Sequence, residues 1–150
     1  MGFYQWGDWP GFFPVAFHRL PENERVQVLN QGEVTIFSSP VCHVIPTIGL
    51  RIEASSSGGI IAYSCDTEPC QAVLNLAQGA GVLIHEATGE SVGHSSATQA
   101  GATARDAGVK SLVLIHYPVG DSDVAKLVEE ARSAFSGDVR LAEDFMKIEF

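Results

Sequence analysis

From Ile60 onward, short apolar runs alternate with segments that open on helix-capping residues and stop at glycine, and this alternation constrains the fold more than any other feature of the chain. The runs are Ile60 to Tyr63, Val82 to Ile84 and Leu112 to Ile115. Between and after them lie three predicted helices. The first, Pro69 to Gln78, has proline near its start and Gly79 just past its end. The second, Ala97 to Ala107, has Ser95 and Ser96 as N-cap candidates and Gly108 as its stop. The third, about Asp123 to Phe135, has Asp121, Ser122 and Asp123 at its positive end and Gly137 after it. Strands alternating with helices predict βαβ units and a partly parallel sheet.

The first third reads differently. Val15-Ala16-Phe17, Val26 to Leu29, Val34 to Phe37 and Leu50 to Glu53 are short β-rich runs. Pro21, Asn30-Gln31-Gly32 and Ser38-Ser39-Pro40 punctuate them as turns, which predicts antiparallel strands. Ser55-Ser56-Ser57-Gly58-Gly59 is too short for a domain linker and reads as a hairpin loop. Val139 to Leu141 and Phe145 to Phe150 look like closing strands. A chain of 150 residues, 45% hydrophobic and 18% charged, suits one core, so residues 1–150 are expected to form a single domain.

Composition excludes some functions. A net charge of -9 works against a phosphate backbone, whose binding depends on cationic contacts. No apolar run approaches the roughly 20 residues needed to span a bilayer. The aromatic start, Met1 to Phe17, lacks the basic region and cleavage site of a signal peptide. Cys42, Cys65 and Cys70 are an odd number at spacings that match no zinc ribbon, so buried free thiols in a cytoplasmic protein are expected.

Several polar residues end the apolar runs. Asp66 follows the strand at Ile60, His85 and Glu86 follow Val82 to Ile84, and His116 follows Leu112 to Ile115; His43 ends Val34 to Phe37 after Pro40-Val41-Cys42. In an open α/β sheet, ligands bind beyond the carboxyl ends of the strands, so these side chains are expected to converge. Imidazole and carboxylate suit zinc, manganese, iron or nickel, and a carboxylate can bridge two cations. Each residue also has an ordinary role open to it. His43 fits a loop histidine bonded to a carbonyl, Asp66 a turn cap with Thr67, and His116 a strand end satisfied by backbone. The functional reading rests on their coincidence. His85-Glu86 at a strand end is costly unless paired or solvated. It offers a proton donor, with Glu86 to orient an imidazole. His94 in Gly93-His94-Ser95-Ser96 is the nearby partner. There is no Gly-x-Ser-x-Gly elbow, no phosphate-binding Gly-x-x-x-x-Gly-Lys loop and no Gly-x-Gly-x-x-Gly after a strand.

Pro40-Val41-Cys42-His43, Gly49-Leu50-Arg51-Ile52-Glu53, Tyr63-Ser64-Cys65-Asp66-Thr67, His85-Glu86-Ala87-Thr88, Gly93-His94-Ser95-Ser96 and Leu114-Ile115-His116 together resemble the metallo-β-lactamase superfamily, ribonuclease Z branch. The likeness implies an α/β fold, the carboxyl-terminal half of an αββα sandwich. It implies that His43 is a ligand of one metal, Asp66 the bridging carboxylate and His116 the last ligand of the second metal. His85 and Glu86 resemble the family's proton-relay pair, and His94 its partner near the scissile phosphate. The family usually holds two zinc ions, with manganese or iron as alternatives, and hydrolyses phosphodiesters.

The chain departs from that pattern in several places. The family's His-x-His-x-Asp-His cluster is absent, which leaves the metal site incomplete. Cys65 stands where glycine usually precedes the bridging aspartate. Only Ala54 to Gly59 occupies the place of the tRNA-gripping arm, which with the acidic charge disfavours tRNA and leaves a smaller phosphodiester or another ester as substrate. The incomplete half implies a complementing chain that supplies the missing ligands, or a homo-oligomer. The alternative is an inactive domain that self-associates through its exposed sheet and aromatic residues such as Phe3, Tyr4, Trp6, Trp9, Phe12 and Phe13.

Overall fold

The computed structural model describes residues 10–11, 13, 16–119 and 124–150. The aromatic residues Phe3, Tyr4, Trp6, Trp9 and Phe12, the strand residue Val15 and the helix-start residues Asp121 to Asp123 lie outside them. Among the described residues seven strands form one sheet: β1 (Val26–Gln31), β2 (Val34–Val41), β3 (Thr47–Ala54), β4 (Ile60–Tyr63), β5 (Val82–Glu86), β6 (Ser111–Ile115) and β7 (Asp138–Leu141). Their spatial order is their order in the chain. Helices α1 (Gln71–Ala77), α2 (Ala97–Ala107) and α3 (Val124–Ala134) fall in the connections after β4, β5 and β6.

The two halves differ as the sequence predicts. Strands β1 to β4 pair antiparallel, and β4 to β7 pair parallel. Each parallel connection carries a helix, and right-handed crossovers running the same way put all three helices on one face. That face holds the main core, where Ala62, Leu83, Leu112, Leu114 and Val139 meet Leu76, Ala100, Ala104 and Ala131. A smaller cluster of Ile61, Val82 and Val113 covers the other face, with Met146 and Ile148 packed on it. Burial on both faces explains why β5 and β6 are nearly continuous apolar runs. No helix among the described residues is long and apolar enough to cross a membrane.

Local chemistry sets the helix ends. Ser96 caps α2 through the Gln99 N–H, while the Gln99 side chain returns to the Ser96 backbone; Gly108, at φ 70°, stops it. Helix α1 is shorter than the sequence predicts, because Cys70 is its extended N-cap and Pro69 stays outside. Three strand assignments change. Ser38-Ser39-Pro40 is not a turn but the continuation of β2, paired with Leu50, Gly49 and Ile48 of β3. Strand β1 reaches only Ser38, so Pro40 faces no β1 partner for its missing N–H to lose. Phe145 to Phe150 is not a strand, because the Met146 N–H folds back on the Glu143 carbonyl and Phe145 takes φ 65°. Ala16 and Phe17 are likewise outside any strand.

Strand direction is what positions the site. Two antiparallel steps separate β2 from β4, so β2 runs the same way as β4, β5 and β6. The carboxyl ends of these four strands therefore open onto one edge of the sheet. His43, Asp66, Glu86 and His116 all lie at or just beyond those ends.

Candidate metal centre

At that edge Asp66 is central. Its Oδ1 lies 2.9 Å from His116 Nδ1 and its Oδ2 lies 4.0 Å from His43 Nε2. Cys65, at φ 53°, and His116, at φ 48°, take the left-handed conformation that turns these two side chains off their strands. The ligand atoms of Asp66, His94 and His116 all lie within 4.8 Å of one another. The His43 and His94 rings meet edge to face with centroids 4.9 Å apart, and the His94 and His116 rings at 5.8 Å.

The imidazoles are held from behind. His43 Nδ1 donates to the Gly93 carbonyl at 2.7 Å, which leaves the Nε2 lone pair toward Asp66. The loop-histidine reading of His43 is thus what the contact shows, and the same carbonyl bond aims its other ring nitrogen at Asp66. Gly93 fits there because a Cβ would meet His43 Nδ1 at 2.7 Å, and its φ of +83° suits glycine. The Gly93 N–H in turn donates to Glu68 Oε1 at 2.7 Å. The Thr88 hydroxyl donates to the His116 carbonyl at 2.9 Å and lies 3.2 Å from its Nδ1.

Glu86 is fully buried, and its carboxylate collects donors. Oε1 accepts from Thr67 N at 3.0 Å and Ser95 N at 3.1 Å, and meets His94 Nδ1 at 3.0 Å; Oε2 accepts from Thr88 N at 2.9 Å. Burial pushes its pKa up, but the Thr88, Thr67 and His94 hydrogen bonds outweigh burial and hold it below the ordinary carboxylate value. A charged Glu86 orients His94 with Nε2 free, as a carboxylate does for a metal-bound or proton-donating histidine.

His85 sits elsewhere. Strand alternation places it on the helix-packed face, with Leu83 and opposite Glu86. It is fully buried, its Nδ1 lies 2.8 Å from the Glu86 carbonyl and its Nε2 has no partner among the described residues. Burial depresses its pKa and keeps it neutral, against weaker raising effects from Glu86. The structure therefore brings His43, Asp66, His94 and His116 together, with Glu86 behind His94, and does not bring His85 to them. Glu68 and the Gly93 carbonyl escaped the sequence reading, because their contacts join residues 25 and 50 positions apart. Period-two alternation was the available signal that His85 and Glu86 face opposite ways.

A cation would fit this donor set. Borderline imidazole nitrogens and a hard carboxylate converge, with further negative charge from Glu86 behind them. An open cleft of about 410 Å³ lined by Glu68, Glu90, Ser91, His94 and Gln99 adjoins the cluster.

Residues 5–117 match the family model described as a beta-lactamase superfamily domain. The ribonuclease Z of Thermoplasma volcanium is 43% identical over 106 residues, covering 62% of this chain and 34% of its own length. A Mycobacterium ribonuclease Z is 32% identical over 154 residues, covering 91% of this chain and 52% of its own. Among solved structures, the metallo-β-lactamase fold protein YhfI from Bacillus subtilis superposes with a TM-score of 0.70 at 27% identity, covering 77% of this chain and 49% of its own. The short form of human tRNase Z gives 0.60 at 26% identity, covering 82% and 46%. The chain thus spans between a third and about half of the length of these relatives. It belongs to the metallo-β-lactamase superfamily, where its relatives include ribonuclease Z proteins.

Proposed function

We propose that this chain is the carboxyl-terminal half of a metal-dependent phosphodiesterase. His43, Asp66 and His116 would hold the metal, and Glu86 and His94 would move the proton. The observation that carries this reading is the Glu86–His94 contact, a buried charged carboxylate aligning an imidazole beside Asp66 and His116. A bound divalent cation, zinc by donor type with manganese or iron as alternatives, supplies an acidified water and a polarised phosphoryl oxygen. His94 gives a proton to the leaving oxygen, and Glu86 stabilises the imidazolium that precedes transfer. Thr88 and Gly93 keep His116 and His43 in place while this happens.

The relatives named ribonuclease Z and tRNase Z support a phosphodiester as substrate. The charge of -9 and the carboxylates of Glu68 and Glu90 beside His94 favour a small phosphodiester over a long polyanion. The chain would act in the cytoplasm, together with a partner that supplies the remaining ligands. The test mixes purified chain with a polypeptide carrying the His-x-His-x-Asp-His cluster, and measures bound metal and cleavage of bis-p-nitrophenyl phosphate. Uptake of zinc or manganese with cleavage, and loss of cleavage in His94→Ala, is the expected result. A mixture that holds no metal and cleaves nothing sinks the reading.

One observation favours a second reading, an inactive domain that self-associates. Val28, Leu29, Val44, Ile45 and Ile48 are exposed on the antiparallel half. Sedimentation across a concentration series separates the two, since this reading requires a homo-oligomer without added partner or metal.

A further inference from the structure

Cys42 and Cys70 are 28 positions apart in sequence, yet their segments are tied together beside the metal centre. The Cys42 N–H donates to Thr67 Oγ1 at 3.2 Å, and the same hydroxyl lies 3.7 Å from Cys70 Sγ. The Glu68 N–H closes the contact on the Cys42 carbonyl at 2.7 Å. The Thr67 hydroxyl thus bridges the Cys42 backbone and the Cys70 thiol, which puts the two residues side by side. Cys42 is exposed, so an oxidant reaches it from solvent, while Cys70 is partly buried. Cys65 is differently placed, at φ 53° in the turn just before Asp66.

We propose that Cys42 and Cys70 form a reversible intramolecular disulfide in the presence of a small disulfide oxidant. The bond would be a covalent tether between the loop that carries His43 and the segment that follows Asp66. The chemistry balances with oxidised glutathione as the electron acceptor. The Cys42 sulfur attacks one glutathione sulfur, its proton passes to solvent, and the first glutathione leaves as a thiolate that takes up a proton. The Cys70 sulfur then attacks the mixed disulfide at Cys42 and releases the second glutathione. Two protein thiols are oxidised and one external disulfide is reduced to two thiols. Backbone and hydroxyl bonds already hold the two segments against one another, which shortens the search the two sulfurs must make. The exchange is followed for hours. The proposal stands independently of the metal reading, because it concerns only these thiols and their neighbours.

The test incubates the intact chain with oxidised glutathione, blocks residual thiols and maps the peptides by mass spectrometry without reductant. Cleavage after Arg51 separates Cys42 from the other two cysteines, and fragmentation of the linked peptide tells Cys65 from Cys70. The expected product is one Cys42–Cys70 link in most molecules, reopened by dithiothreitol. It should persist in Cys65→Ser and vanish in Cys42→Ser and in Cys70→Ser. A stable glutathione adduct on Cys42, a link through Cys65, or covalent dimers instead of the internal bond would each overturn the proposal, and the unmutated chain alone decides among them.

Discussion

Glu86 carries more of the site than any other single side chain. It is a buried charge, tolerable only because backbone N–H groups of Thr67, Thr88 and Ser95 and the His94 ring surround it. Glu86→Gln places an amide among donors and is expected to cost about 2–3 kcal/mol of stability, read by urea denaturation. The folded pKa of Glu86 lies below its ordinary value of 4.5, so the unfolded chain binds the proton more readily. Its contribution is therefore present above pH 4.5 and is lost as pH falls through the folded value. His85 behaves alike in sign for a different reason. Burial lowers its folded pKa below the ordinary 6.5, so stability falls as pH drops below that value, by up to about 1.4 kcal/mol per pH unit. His85→Leu should flatten that part of the pH–stability curve, and an unchanged slope would refute the buried neutral state. The sequence showed that His85 and Glu86 end a strand. Which of the two reaches the cleft depends on strand phase against the helices, and only the packed sheet fixes that.

Elements meet at small residues. A Cβ at Gly101 of α2 would run into the backbone of Ala131 in α3, so Gly101→Ala must push α3 away. That change is expected to destabilise by about 1–3 kcal/mol, measured by thermal unfolding. In the loop between β5 and α2, Gly93→Ala forces a Cβ against His43 and Val44 at a φ of +83°. Isothermal titration should show divalent-cation affinity falling roughly 10- to 100-fold, the usual cost of disturbing the groups that hold a ligand. Capping chemistry made α2 readable to the residue, because Ser96 and Gly108 are local signals. Ser38-Ser39-Pro40 misled for the opposite reason. Its turn-like composition is overruled by pairing with β3, a partner that local propensity cannot see. Phe145 to Phe150 has strand composition, but its residues lie across the sheet, where Met146 and Ile148 cover Val113 and its neighbours.

At the scale of the molecule, the sheet is unevenly protected. Strands β5 and β6 are almost wholly buried, whereas β1 has five exposed residues of six. Hydrogen exchange should accordingly be slowest in β5 and β6 and fastest in β1. Equal rates across the sheet would mean that the strands open as one unit. The fold class was legible because strand and helix periods are local, and the family was legible because several short words occur in order. The site's supporting contacts were not, since Gly93 to His43 and Glu68 to Gly93 exist only after the strands align. That alignment follows the order of synthesis. Each strand's sheet neighbour is the one made just before it, so a ribosome can lay the sheet down strand by strand without waiting for a distant partner. The cluster is then delivered as a timetable: His43 first, next Asp66, then Glu86 and His94, and His116 last. A nascent chain halted before β6 would already show three of the four converging side chains, yet could not close them into one pocket.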